Sequence, residues 1–98
     1  MKILLVCAGG WSTSFLMTKM KQYAASIGEQ VEIKAIGFAS ADEYAGEYDV
    51  CLVAPQAAFQ VDQIREDAKC PTAVIEKDDY GRANGENVIK LAHQTLGK

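Results

Sequence analysis

The sequence is short of several things, and each shortage removes a class of function. Ten basic residues against thirteen acidic ones leave a net charge of −3, so there is no basic footprint for a nucleic-acid backbone. No apolar run approaches the ~20 residues needed to cross a bilayer, which argues against direct membrane insertion. Met1-Lys2-Ile3 leads straight into a strand pattern, without the apolar stretch and small-residue cleavage site of a secretory signal. Three cysteines, an odd number without close metal-ligand spacing, fit reduced thiols in the cytosol, with no disulfide frame and no metal. No internal repeat, low-complexity stretch or linker interrupts the 98 residues, so residues 1–98 are expected to form a single domain. The expectation is a small, monomeric cytoplasmic domain without a cofactor.

What is present is an ordered alternation of strand and helix patterns. Lys2 to Cys7 is continuously apolar after its first residue, the mark of a strand buried on both faces. About Thr13 to Ile27 reads as a helix with Leu16, Met20, Tyr23, Ala24 and Ile27 on one face, capped by Ser12 or Thr13 and stopped by Gly28. Val31 to Ile36 alternates, as a half-exposed strand does. One or two helical turns are expected around Ala41 to Ala45. Val50-Cys51-Leu52-Val53 is a second fully apolar strand, ended by Pro55. A helix is predicted over Ala57 to Lys69, then a strand over Thr72 to Ile75. Asp78-Asp79-Tyr80-Gly81 reads as a loop, and a last helix begins at Asn84 or Gly85.

Four strand–helix repeats imply a parallel sheet with helices on both faces. The unbroken apolar strands, first and third, belong in the middle. The spatial order 2-1-3-4 satisfies this with right-handed crossovers. It is the flavodoxin-like α/β plan, whose ligands bind beyond the strand ends, between strands one and three. Cys7 and Pro55-Gln56 both fall there.

The stretch Cys7-Ala8-Gly9-Gly10-Trp11-Ser12-Thr13-Ser14 is the candidate site. Gly9 and Gly10 let backbone N–H groups converge on an anion, and a helix start adds its own. Ser12, Thr13 and Ser14 can donate to the same oxygens or simply cap the helix. A helix N-terminus favours the thiolate, the form that attacks phosphorus or sulfur, so Cys7 is the candidate nucleophile. Cys51, inside a central strand, reads as core packing. Cys70 reads as a loop residue at the opposite end of the sheet, and His93 as a helix residue without a catalytic role. Trp11 either packs beneath the loop or marks a docking surface. Gln56 either donates to a ligand or ends a strand. Asp79, Tyr80 and Gly81 are rim candidates, although such clusters are commonly plain turn chemistry. Arg82 is the arginine near that rim, and Arg65 belongs on a helix surface.

Two families have a thiolate cradle at this position. Low-molecular-weight tyrosine phosphatases carry an arginine six residues after the cysteine, and here that position is Thr13. Without the bidentate guanidinium that stabilises the transferring phosphoryl group, the loop is equipped to hold phosphate rather than hydrolyse it. Asp79-Tyr80 resembles the phosphatase acid loop but lacks the intervening proline. The eight-residue loop, Ala54-Pro55-Gln56 and Tyr80-Gly81 together resemble enzyme IIB of the sugar phosphotransferase system, lactose/cellobiose class. Trp11 departs from the methionine expected at its position.

That resemblance implies a phosphoryl carrier. Cys7 would take phosphate from a phosphohistidine of enzyme IIA and pass it to a sugar held by membrane enzyme IIC. The sugar would be a β-disaccharide such as cellobiose, chitobiose or lactose. The segment Ala8 to Ser14 would hold the phosphate, with Pro55, Gln56, Asp79, Tyr80 and Gly81 on the rim. The protein would be cytoplasmic and dock transiently at the membrane through enzyme IIC. A cysteine phosphatase or arsenate reductase, and a non-enzymatic anion-binding module, are the competing readings.

Overall fold

The computed structural model describes residues 1–7 and 14–97. Its four strands are β1 (Lys2–Cys7), β2 (Glu32–Gly37), β3 (Val50–Val53) and β4 (Thr72–Val74). They form one parallel sheet in the order β2-β1-β3-β4, as the apolar patterning predicts. The helices are α1 (Ser14–Ser26), α2 (Val61–Ala68), α3 (Lys77–Gly81) and α4 (Gly85–Leu96), with 3-10 segments at Phe38–Tyr44 and Pro55–Gln60.

Strand alternation divides the core into two layers. Ile3, Leu5, Val50, Leu52 and Ile75 pack with Leu16 and Met20 of α1 and with Val88, Ile89 and Ala92 of α4. Leu4, Val6, Cys51 and Val53 face the other way, onto Ala41, Ala57, Ile64 and Ala68. Residues 3–6 of β1 and all of β3 are completely or almost completely buried, which explains their unbroken apolar runs. Each large side chain sequestered this way contributes about 1.5–3 kcal/mol. β2 lies at one edge and keeps Glu32 and Lys34 exposed. β4 takes the other edge.

Close packing has one strict requirement. A Cβ on Gly85 would collide with the Lys19 carbonyl group and the Met20 amide nitrogen. Glycine therefore lets the first turn of α4 lie directly on the backbone of α1. At the C-terminal end of α1, Glu29 N–H donates to Ala24 O (2.8 Å) and Gly28 N–H to Ala25 O (3.1 Å). With Gly28 at φ +74°, this is a Schellman stop.

Several boundaries differ from the sequence reading. Ile27 was expected on the buried face of the first helix, but it lies in the turn beyond Ser26 and is 51% exposed. The Ala57–Lys69 helix is instead a 3-10 segment from Pro55 followed by α2. A proline is well suited to a first helical position, so it starts a helical segment as well as ending a strand. The turns expected at Ala41 to Ala45 belong to the longer 3-10 segment Phe38–Tyr44. Asp78-Asp79-Tyr80-Gly81 is not a loop but most of α3. Tyr80 N–H donates to Glu76 O (2.9 Å) and Arg82 N–H to Asp78 O (3.0 Å). The acidic pair read as turn chemistry occupies the first turn of that helix, where carboxylates favour the dipole. The expected helix start at Thr13 lies outside the described residues.

Candidate functional site

Cys7 is the last residue of β1, paired with Gly37 of β2. On its other side, Ala54 N–H donates to Val6 O (2.8 Å), so Ala54 and Pro55 leave β3 beside the cysteine. The thiol is 1% exposed, and its Sγ donates to Ile36 O at 3.8 Å. Odd-numbered residues of β1 face α1, which places Cys7 on that side of the sheet. α1 begins at Ser14, seven residues later, and runs back along the sheet with its N-terminal end at the Cys7 end. Ser14 is exposed, and its carbonyl accepts from Thr18 Oγ1 (3.1 Å). Ala8, Gly9, Gly10, Trp11, Ser12 and Thr13, the remainder of the proposed cradle, lie outside the described residues.

One strand further along, Pro55, Gln56, Lys77, Tyr80 and Gly81 line a cleft of about 480 Å³. Two segments distant in sequence, Pro-Gln after β3 and Tyr-Gly in α3, thus meet at the same end of the sheet. Asp79 does not join them. Its carboxylate accepts from Asn87 Nδ2 (2.9 Å), and it borders a separate depression with Glu76, Asn87 and Lys90. Arg82 is exposed at the end of α3. Lys77 was missed by sequence reasoning because it sits in a charged run that looked like a turn.

The other two cysteines have different surroundings. Cys51 is completely buried in β3, and burial pushes its thiol from 9.0 up to about 12. Nearby Cys70 adds to the shift, while a hydrogen bond with Thr72 opposes it. A thiol held protonated in this way is a poor nucleophile. Cys70 lies before β4 at the opposite end of the sheet, and its thiol is raised by burial and by Asp49. His93 is also far from Cys7. Its Nε2 meets Glu29 Oε1 at 2.8 Å, tying α4 to the turn after α1. Among the described residues no cluster of metal-ligating side chains occurs, and no helix is long and apolar enough to cross a membrane.

The family model for the lactose/cellobiose-specific IIB subunit of the PTS matches residues 2–91. This chain belongs to that family. The oligo-beta-mannoside-specific EIIB component of Bacillus subtilis (strain 168) is 42% identical over 94 residues, covering 93% of this chain and 91% of that protein. The solution structure of a cellobiose-specific phosphotransferase IIB component from Borrelia burgdorferi superposes with a TM-score of 0.81 at 38% identity. That match covers 99% of this chain and 92% of the other. A lactose-specific EIICB component of Lactococcus lactis subsp. lactis is 29% identical over 97% of this chain, which corresponds to only 16% of that longer protein. The domain is thus a PTS IIB component for lactose/cellobiose-type sugars, with the flavodoxin-like sheet that IIB domains share.

Proposed function

We propose that this IIB domain relays a phosphoryl group through Cys7. The observation that carries the reading is the placement of Cys7 at the C-terminal end of central strand β1, where open α/β sheets bind ligands, within a chain of this family. In the first half-reaction the Cys7 thiolate attacks the phosphorus of a phosphohistidine on enzyme IIA. The S–P bond forms, the P–N bond breaks, and the released imidazole takes up a proton. In the second, a sugar hydroxyl bound by enzyme IIC attacks the same phosphorus. The S–P bond breaks, the thiolate leaves, and the hydroxyl proton passes to a base or water.

The relative named as an EIICB component supports the partnership with enzyme IIC. Through that partner the domain docks transiently at the inner face of the membrane. The backbone and hydroxyls of Ala8 to Ser14 hold the phosphate oxygens. Pro55, Gln56, Tyr80 and Gly81 form the rim of the site, and Asp79 acts in α3 as a partner of Asn87. Relatives named for oligo-β-mannosides and cellobiose point to a β-linked disaccharide as the sugar.

Incubation with phosphorylated enzyme IIA tests this reading against a phosphatase or arsenate reductase. The protein is expected to accept about one phosphate per chain, and to show no turnover of an aryl phosphate or arsenate when alone. Steady partner-free turnover would overturn the carrier reading. Thr13→Arg supplies the guanidinium that phosphatases use and is expected to accelerate hydrolysis of the phosphocysteine. An unchanged lifetime would show that the arginine is not what separates holding from hydrolysis.

A further inference from the structure

The first turn of α4 rests on α1 with no side chain between the two backbones. A Cβ on Gly85 would lie 2.6 Å from Met20 N and closer still to the carbonyl carbon and oxygen of Lys19. Ordinary contact for such an atom begins at 3.4 Å, so any other residue there forces the backbones apart by roughly 1 Å. Gly85 itself is buried, and α1 is seated there by Leu16 and Met20, which pack with Val88, Ile89 and Ala92 of α4.

Both helices lead from this contact to the Cys7 end of the sheet. Lys19 and Met20 stand five and six residues after Ser14, so the contact is about 8 Å along the axis from the start of α1. α4 is fixed in turn to α3. Asn84 N–H donates to Asp79 O (2.8 Å), Asn87 Nδ2 donates to Asp79 Oδ1 (2.9 Å), and the Asn84 side chain accepts from Asn87 N–H (3.1 Å). The link between α3 and α4 is set by Ala83, which is buried at φ +52° and donates to Tyr80 O (3.2 Å). α3 brings Lys77, Tyr80 and Gly81 to the cleft shared with Pro55 and Gln56. Widening the contact at Gly85 therefore has two outlets. If α1 yields, its N-terminal end shifts relative to Cys7. If α4 yields, it draws α3 and the cleft residues with it.

We propose that Gly85 is a positioning residue for phosphoryl transfer, an inference that rests on the carrier reading above. By carrying no side chain it sets the α1–α4 spacing, and that spacing holds the start of α1 and the Tyr80 turn in place relative to Cys7. Buried between the helices, it meets neither phosphate nor partner. Its effect is on the alignment of the attacking sulfur and the groups around it, where a displacement of about 1 Å can cost on the order of 10²-fold in rate. A substitution there acts on the transfer step and not on the encounter with enzyme IIA.

The test is the initial rate of Cys7 phosphorylation against the concentration of phosphorylated enzyme IIA, for wild type, Gly85→Ala and Ile64→Val. Ile64 is 1% exposed on α2, in the core layer on the other face of the sheet, so Ile64→Val controls for a general loss of stability. All three are assayed at a temperature where circular dichroism shows them folded. Gly85→Ala is expected to lower the maximal rate about tenfold with KM held within about twofold. Ile64→Val is expected to leave both within about twofold. An unchanged maximal rate in folded Gly85→Ala would overturn the proposal, as would an equal loss in Ile64→Val or a defect confined to KM. If Gly85→Ala does not fold, Asn84→Ala loosens the same junction without inserting an atom, by removing the cap of α4. It is then expected to lower the maximal rate about threefold at constant KM, and an unchanged rate would overturn the proposal. Failure of the wild type to accept phosphate at all would instead defeat the carrier reading itself.

Discussion

The two ends of the sheet are built from opposite materials. At the end where the strands begin, charged and polar groups close on one another. The N-terminal ammonium donates to Gln30 O (3.1 Å), Lys2 N–H donates to Asp49 Oδ2 (2.8 Å), and His93 pairs with Glu29. A groove of about 680 Å³ lies there among Lys2, Lys21, Glu29 and Glu32. At the end where the strands finish are the buried Cys7 thiol and a smaller cleft among Pro55, Gln56, Lys77, Tyr80 and Gly81. The polar contacts tie the chain together at the end where the strands begin. Cavity size alone would select the polar end, whereas the proposed relay puts the chemistry at the cysteine end.

Cysteine substitutions give the largest expected contrast. Cys7→Ser is expected to lower phosphotransfer at least ~10³-fold, the scale on which an enzyme loses activity when its nucleophile is removed. Cys51→Ala, one strand away, is expected to leave transfer rates within about twofold, since the protonated Cys51 thiol performs no chemistry. Coupled phosphotransfer assays with enzyme IIA would read both. Comparable losses in the two variants would erase the distinction between the strands.

Gly85→Ala tests whether the α1–α4 contact is as tight as it looks. The added methyl group meets backbone rather than a flexible side chain, so a loss of about 1–3 kcal/mol is expected. In a domain of this size that lowers Tm by roughly 4–8 °C per kcal/mol. An unchanged melting temperature would mean that the helices separate at little cost.

The buried thiol of β3 also makes a prediction about alkaline pH. Cys51 ionises near 9.0 when exposed in the unfolded chain but only at about 12 in the fold. Between those values the unfolded chain has given up a proton that the folded chain retains, so stability falls as pH rises. The slope from this group approaches about 1.4 kcal/mol per pH unit, and it vanishes below pH ~8. Urea melts of wild type and Cys51→Ala between pH 8 and 11 should therefore converge as pH increases. Parallel curves would contradict the burial argument.

The smallest effect belongs to the charged end. Glu29→Gln replaces a carboxylate whose partner His93 is partly exposed, so a cost of about 0.5–1 kcal/mol is expected, with transfer rates unchanged. A loss of transfer would show that the two ends are coupled.

Much of this contrast was legible in the sequence. The unbroken runs at β1 and β3 specified the strand order, and the strand order placed Cys7 and Pro55-Gln56 at the same end. What escaped was the part that depends on which way short polar segments turn. Asp78 and Asp79 have the composition of a turn yet form a helical first turn, which directs Asp79 to Asn87 and Lys77 to the cleft. Phe38 and Phe59 fall outside any helical or strand periodicity, so only the folded chain reveals that they touch.

The most direct test of the account is mass spectrometry of the protein after exposure to phosphorylated enzyme IIA. The account predicts a single phosphoryl group, on the peptide containing Cys7, that disappears when enzyme IIC and a β-disaccharide are supplied. Phosphate on any other residue, or a phosphocysteine that persists with enzyme IIC and sugar present, would contradict it.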